Sequence, residues 1–230
     1  MDKPQRIAKV IAASGLCSRR EAERWIEAGR VELNSEPVLT PATLVGASDS
    51  VKIDGKPLPH TEKPRLFAYN KPTGELVTET DPQGRRTIYD TLPDVGARLI
   101  PVGRLDLNSE GLLLLSTSPA VVSDLMHSQL PRVYRVRTFG QLSPAQEEEM
   151  RAGLTVEGIN YAPVKLALEK TSGRNCWYNL TLTEGKNREI RNLFRAFDVQ
   201  VNRLIRVQYG DVKLGDLALS AVKEISITAR

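Results

Sequence analysis

Residues 99–115 read Leu-Ile-Pro-Val-Gly-Arg-Leu-Asp-Leu-Asn-Ser-Glu-Gly-Leu-Leu-Leu-Leu. Two apolar runs flank a polar loop that begins at Gly103 and ends at Gly111. The run Leu112–Leu115 is short and uninterrupted, which suits a strand buried on both faces. Leu99–Val102 reads as a second strand. A loop between two such strands can hold catalytic side chains on a rigid sheet. Within it Asp106 lies close to Arg104, Asn108, Ser109 and Glu110. Asp, Asn, Ser and Gly also serve simply to bend a chain, so spacing alone leaves a catalytic loop and a solvated turn both open.

Outward from this loop, apolar periodicity predicts strands at Leu66–Tyr69, Val133–Thr138, Pro163–Lys170, Cys176–Glu184, Val199–Tyr209 and Ile225–Thr228. Helices are expected at Pro119–His127, after Ser143-Pro144 with Gln146 at the capping-box position, and across Asn187–Phe197. The order lacks a regular βαβ rhythm, which points to an α+β fold with a largely antiparallel, mixed sheet flanked by helices. Before it, residues 4–14 predict a short helix with Ile7, Val10 and Ile11 on one face, and Ser18 with Glu21 opens a second that stops at Gly29. Val31–Leu33 and Val51–Ile53 read as strands, and Asp54-Gly55 as a turn. The polar stretch His60–Pro64 reads as a connection. The expected organisation is a small domain over 1–60, a linker at 61–64 and a larger domain over 65–230.

The chain has 230 residues, 40% hydrophobic and 26% charged, with a net charge of +4. That mild excess is compatible with nucleic-acid binding without establishing it. No apolar run is long enough to span a membrane, and charges throughout residues 1–30 argue against a signal peptide. Cys17 and Cys176 read as reduced thiols of a cytoplasmic protein. With His60 and His127 as the only histidines, no zinc site is expected, and chemistry must rest on carboxylates, tyrosines and basic residues.

Two segments concentrate positive charge. On a helical wheel Arg188, Arg191 and Arg195 share one face opposite Ile190, Leu193, Phe194 and Phe197. Lys186, Arg203 and Arg206 could extend this basic surface. Arg19, Arg20 and Arg24 cluster on the second helix with Glu21 and Glu23 interleaved, which an ordinary solvated helix face would also show. Tyr134, in Arg132-Val-Tyr-Arg-Val136, reads on its own as a core or cross-strand residue.

Taken in order, these segments resemble the RsuA/RluB-type family of ribosomal RNA pseudouridine synthases. Gly103–Leu115 is similar to its catalytic loop and following strand, Tyr69-Asn-Lys-Pro-Thr-Gly74 to its first motif, and Arg132 with Tyr134 to its basic-x-Tyr motif. Glu184-Gly-Lys-Asn-Arg-Glu-Ile-Arg191 and Arg203-Leu-Ile-Arg206 resemble its closing motifs. Residues 3–60 are similar to the small RNA-binding domain named after a small-subunit ribosomal protein. Leu107-Asn-Ser-Glu-Gly111 and Lys213-Leu-Gly-Asp-Leu217 are worded more like the large-subunit (23S) RNA enzymes.

The resemblance implies isomerisation of uridine to pseudouridine, with no cofactor and no metal. It assigns catalysis to Asp106, with Arg191 as its cation and Tyr134 stacked on the extracted uracil. It places RNA contacts on Arg104, Lys71, Lys186, Arg188, Arg19, Arg20 and Arg24. The implied partner is ribosomal RNA, free or in a subunit assembly intermediate, met by a monomer away from membranes. Competing readings are a noncatalytic ribosome-assembly protein, a small-subunit or transfer RNA target, and a DNA-binding regulator using the N-terminal helices.

Overall fold

The computed structural model describes residues 4–59 and 63–226. Its first part contains strand β1 (Gln5–Arg6), helices α1 (Ile7–Ala13) and α2 (Arg19–Glu27), and strands β2 (Val31–Leu33), β3 (Glu36–Pro37), β4 (Leu44–Val45), β5 (Val51–Ile53) and β6 (Lys56–Pro57). Strands β3-β2-β5-β6 form one sheet, and β1 pairs with β4. The helices bury Ile7, Ile11, Ala22 and Ile26 against Val31, Val51 and Ile53. The Ser18 hydroxyl accepts from the Glu21 amide at 3.2 Å, while the Glu21 carboxylate turns to Arg24 at 3.1 Å. Only half of the expected capping box therefore forms. The first helix starts at Ile7 rather than residue 4, because Gln5 and Arg6 are engaged as a strand with Leu44 and Val45.

The second part runs β7 (Leu66–Lys71), β8 (Ile100–Pro101), β9 (Glu110–Ser116), α3 (Pro119–His127), β10 (Arg132–Phe139), α4 (Pro144–Ala152), β11 (Leu154–Val156), β12 (Ile159–Tyr161), β13 (Lys165–Ser172), β14 (Asn175–Leu182), α5 (Glu189–Arg195), β15 (Gln200–Tyr209), β16 (Val212–Lys213) and β17 (Val222–Ile225). The large sheet has the order β13-β14-β10-β15-β9-β7-β17, with β16 beside β15 and β8 beside β9. Its pairings are antiparallel except that of β15 with β9, which is parallel and joins Ile205 to Glu110 and Arg206 to Gly111. The architecture is α+β, as expected.

Strand β9 is buried on both faces. Leu113 and Leu115 join Tyr69, Tyr134, Val136, Tyr178, Leu193 and Phe194 in the main core. Leu112 and Leu114 join Leu66, Val122 and Tyr209 in a second core. Helix α4 has the reciprocal box, with Ser143 and Gln146 each accepting from the other's amide. Helix α5 is shorter than the expected 187–197. Arg188 sits just ahead of it in a left-handed conformation (φ 50°), so the regular helix begins at Glu189. The hairpin β11–β12, missed in the sequence, turns through Glu157 (φ 50°) and Gly158 (φ 79°).

The expected linker at 61–64 lies partly outside the described residues, as does the end of the strand expected at 225–228. Among the described residues no helix is long and apolar enough to cross a membrane.

Candidate active site

Loop 103–109 is fixed from below and from the side. Gly103 turns at φ 74°, the Ser109 amide donates to the Asp106 carbonyl at 3.0 Å, and the Gly74 amide donates to the Leu107 carbonyl at 2.8 Å. Beneath it lies Lys71, fully buried. Its Nζ donates to the carbonyl oxygens of Pro72 at 2.8 Å, Ser109 at 3.0 Å and Asp106 at 3.4 Å. Burial lowers the Lys71 ammonium to about 8, against the pull of Glu75, Asp106 and Glu110. Lys71 is therefore not an RNA contact, contrary to expectation; its charge is used up in holding the loop.

The loop ends at Gly111, where β9 meets β15. A Cβ at this residue (φ 98°) would overlap the Arg206 carbonyl oxygen and lie 2.9 Å from the Arg206 nitrogen. Glycine is needed for the two backbones to approach this closely. Arg206 is itself buried, and its Nε donates to the Leu112 carbonyl at 2.6 Å. It does not extend the surface charge, as the sequence suggested.

A cleft of about 340 Å³ opens above this junction, lined by Arg104, Asp106, Tyr134, Arg188, Arg191 and Arg206 among others. The Asp106 side chain is 37% exposed, and its Oδ2 lies 3.6 Å from the Arg188 guanidinium. Tyr134, on β10, is 8% exposed. The expected ion pair of Asp106 with Arg191 is replaced by one with Arg188. Leaving the helix in a left-handed conformation is what carries Arg188 to the loop, a position the helical wheel could not anticipate. Arg191 instead donates to the carbonyls of Asn108 at 2.9 Å and Val201 at 3.0 Å, tying the loop to β15. Burial, then the like charge of Arg188, lowers the Arg191 guanidinium, and Asp106 opposes both.

Acids that the sequence reading passed over sit on the other wall. Glu189 is buried; its Oε2 accepts from the Lys186 amide at 2.9 Å. Burial first, with Glu184 adding to it, pushes the Glu189 carboxyl up to about 7. Glu184 accepts from the Ala162 amide at 2.8 Å and from Lys186 Nζ at 2.6 Å. Lys186 is thus already paired, as are Arg203 with Glu110 and Arg195 with Glu157. The basic surface that Lys186 and Arg203 were expected to extend is therefore narrower, because nearby acids pair with both.

Arg132 packs its guanidinium 4.9 Å over the Tyr209 ring. Among the described residues the buried side-chain atoms lacking a hydrogen-bond partner are Glu189 Oε1, Arg191 Nε and Arg206 Nη2. All three belong to residues lining the cleft. Buried polar groups are ordinarily satisfied, and these exceptions concentrate at the cleft. Arg104 reaches the same cleft and is exposed. Arg19, Arg20 and Arg24 do not line it; they stand exposed on α2, Arg19 against Glu23 and Arg24 against Glu21. No group of residues suited to a metal occurs among the described residues.

The profile of the family described as RNA pseudouridylate synthase matches residues 65–196, and that of the S4 domain matches residues 5–51. An RNA pseudouridine synthase of Rickettsia prowazekii (strain Madrid E) is 43% identical over 227 residues, covering 96% of this chain and 94% of its own length. The ribosomal large subunit pseudouridine synthase B of Escherichia coli (strain K12) is 44% identical over 218 residues, covering 91% of this chain and 75% of its own. A solved pseudouridylate synthase superposes with a TM-score of 0.68 at 25% identity, covering 96% of both chains.

Proposed function

The chain belongs to the RsuA/RluB-type family of RNA pseudouridine synthases, isomerases by reaction, and from that premise we propose that it converts one uridine of large-subunit (23S) ribosomal RNA to pseudouridine, with Asp106 as the catalytic carboxylate. The observation that carries this reading is a carboxylate on a rigid loop, 3.6 Å from a guanidinium and sharing a cleft with a tyrosine. The large-subunit target rests on the 44% identity to an enzyme named for that subunit.

The reaction breaks the bond from ribose to nitrogen 1 of uracil, turns the base and rejoins it through carbon 5, which gives up its proton to solvent while nitrogen 1 takes one up. The uridine must first leave its stack, at a cost of a few kcal/mol. Within the cleft Tyr134 offers its ring to the extracted base, and Arg104 at the mouth holds the displaced backbone. Asp106 acts ionised, either as a nucleophile on the sugar or base or by removing a sugar proton; both routes need the same charged form. Arg188 pairs with the Asp106 carboxylate at 3.6 Å, and Arg191 holds the loop through the Asn108 carbonyl. Residues 1–60 form the RNA-binding domain, joined through 61–64 to a catalytic domain over 65–230. Arg19, Arg20 and Arg24 add phosphate contacts that raise affinity without sharing in the chemistry.

The test is Asp106→Asn. It keeps the size of the side chain and removes its charge. The variant is expected to form no pseudouridine in ribosomal RNA while binding that RNA as tightly as the original chain. Pseudouridine formed at the original rate overturns the role. Mapping pseudouridines in ribosomal RNA from cells with and without the protein identifies the target.

A further inference from the structure

The even-numbered residues Tyr134 and Val136 of β10 point into the cleft and core, so Arg135, Arg137 and Phe139 face the other way. On that outer side the register aligns Arg137 with Trp177 of β14 and with Arg203 of β15, and Trp177 with Lys170 of β13. One row across four strands therefore holds Lys170, Trp177, Arg137 and Arg203, spanning about 14 Å at the usual strand spacing.

Two aromatic rings on this side carry arginine planes. The Arg135 guanidinium lies 4.8 Å over Trp177, and that of Arg174 lies 5.4 Å over the exposed ring of Phe139. Glu169 pairs with Arg135 at 2.7 Å, and Glu110 pairs with Arg203. Lys165, Lys170 and Arg137 keep no ion-pair or hydrogen-bond partner among the described residues. Helix α3 packs over the β9 end of the sheet, with Val122 in the core formed by Leu112 and Leu114.

We propose that this outer face of β13, β14, β10 and β15 binds a single-stranded stretch of the RNA that carries the target uridine. The phosphates meet Arg137, Lys165 and Lys170, and the bases lie on the surfaces built around Trp177 and Phe139. Unpaired bases stack on aromatic rings and on guanidinium planes, whereas a duplex keeps its base faces covered. Free cations beside those stacks complement a polyanion. The substrate class rests on the enzymatic reading above, but the surface lies on the side of the sheet opposite the cleft and can be tested apart from it.

The experiment measures binding of a short oligouridylate to the full chain as a function of salt, for the original protein, Arg137→Glu with Lys170→Glu, and Trp177→Leu. The double charge reversal is expected to weaken binding by tenfold or more and to flatten the salt dependence by about 0.7 for each phosphate no longer neutralised. Trp177→Leu is expected to weaken binding roughly tenfold through weaker stacking, with the salt dependence unchanged. Both variants should retain the original rate of pseudouridine formation at saturating ribosomal RNA. Original affinity in both variants overturns the proposal, as does tighter binding of duplex RNA or of polyglutamate than of oligouridylate. An original chain that binds oligouridylate in this pattern but forms no pseudouridine overturns the enzymatic reading and leaves the surface standing.

Discussion

Replacing Lys71 with methionine separates the stability of loop 103–109 from that of the fold. Methionine keeps most of the stem that fills the space and removes the donor. The Pro72 and Ser109 carbonyls lose their Nζ partner, whereas the Asp106 carbonyl keeps the Ser109 amide. Each buried acceptor left unsatisfied costs about 1–3 kcal/mol, so the loss is about 2–6 kcal/mol. Against this, the ammonium is held at about 8 instead of 10.5 by burial. Shedding that charge returns about 3 kcal/mol. The balance runs from about 1 kcal/mol of stabilisation to about 3 kcal/mol of destabilisation, read from urea denaturation at neutral pH. The rate should fall much further, on the order of a hundredfold, because a shift of about 1 Å in a catalytic group is enough for that. Pseudouridine formation is followed by tritium release from RNA labelled at uracil carbon 5. Between pH 8 and 10.5 the unfolded chain binds a proton that folded Lys71 has lost, so the original protein gains stability with rising pH relative to the variant. A variant with an intact fold and an undiminished rate refutes the idea that Lys71 holds the loop in its working position.

Glu189→Gln should remove a pH dependence. Glu189 holds its proton up to about 7 in the folded chain, well above its unfolded value. Its contribution is fully present at low pH and is lost as pH rises through that range. Thermal denaturation at pH 5 and pH 8 should differ less in the variant, and a difference as large as the original counts against the assignment. Gly111→Ala should destabilise the chain by roughly 3 kcal/mol or more, because a methyl group at φ 98° meets the Arg206 backbone; a denaturation midpoint equal to the original refutes the close approach.

Elements set by local pattern were legible. The four leucines of β9, the proline and capping pair that start α4, and helix α3 follow from residue types and spacing alone. What the sequence concealed depended on contacts distant in the chain. Lys71 follows a polar asparagine and reads as surface, yet strand β9 closes over it. Arg188 reads as part of a helical face until its left-handed backbone is seen. Arg191 was legible as a site residue by resemblance, but its bonds to the Asn108 and Val201 carbonyls depend on packing between loop and strand. Glu189 gave no signal, because an acid among arginines reads as a surface counter-ion, whereas here it is enclosed beside a second carboxylate. The β11–β12 turn did leave a trace, in the pair Glu157-Gly158 between apolar residues.

The parallel seam between β9 and β15 also governs when the cleft is assembled. Asp106 precedes β9, whereas Arg188 and Arg191 flank or occupy α5, just before β15. A chain emerging from its own ribosome N-terminus first exposes the carboxylate long before either guanidinium has been made. Until α5 and β15 are made, the loop lacks its pair with Arg188 and its tie to Arg191. If Asp106 is the working carboxylate as proposed, a partly synthesised copy is expected to stay inactive until β15 has joined β9 in the interior of the sheet.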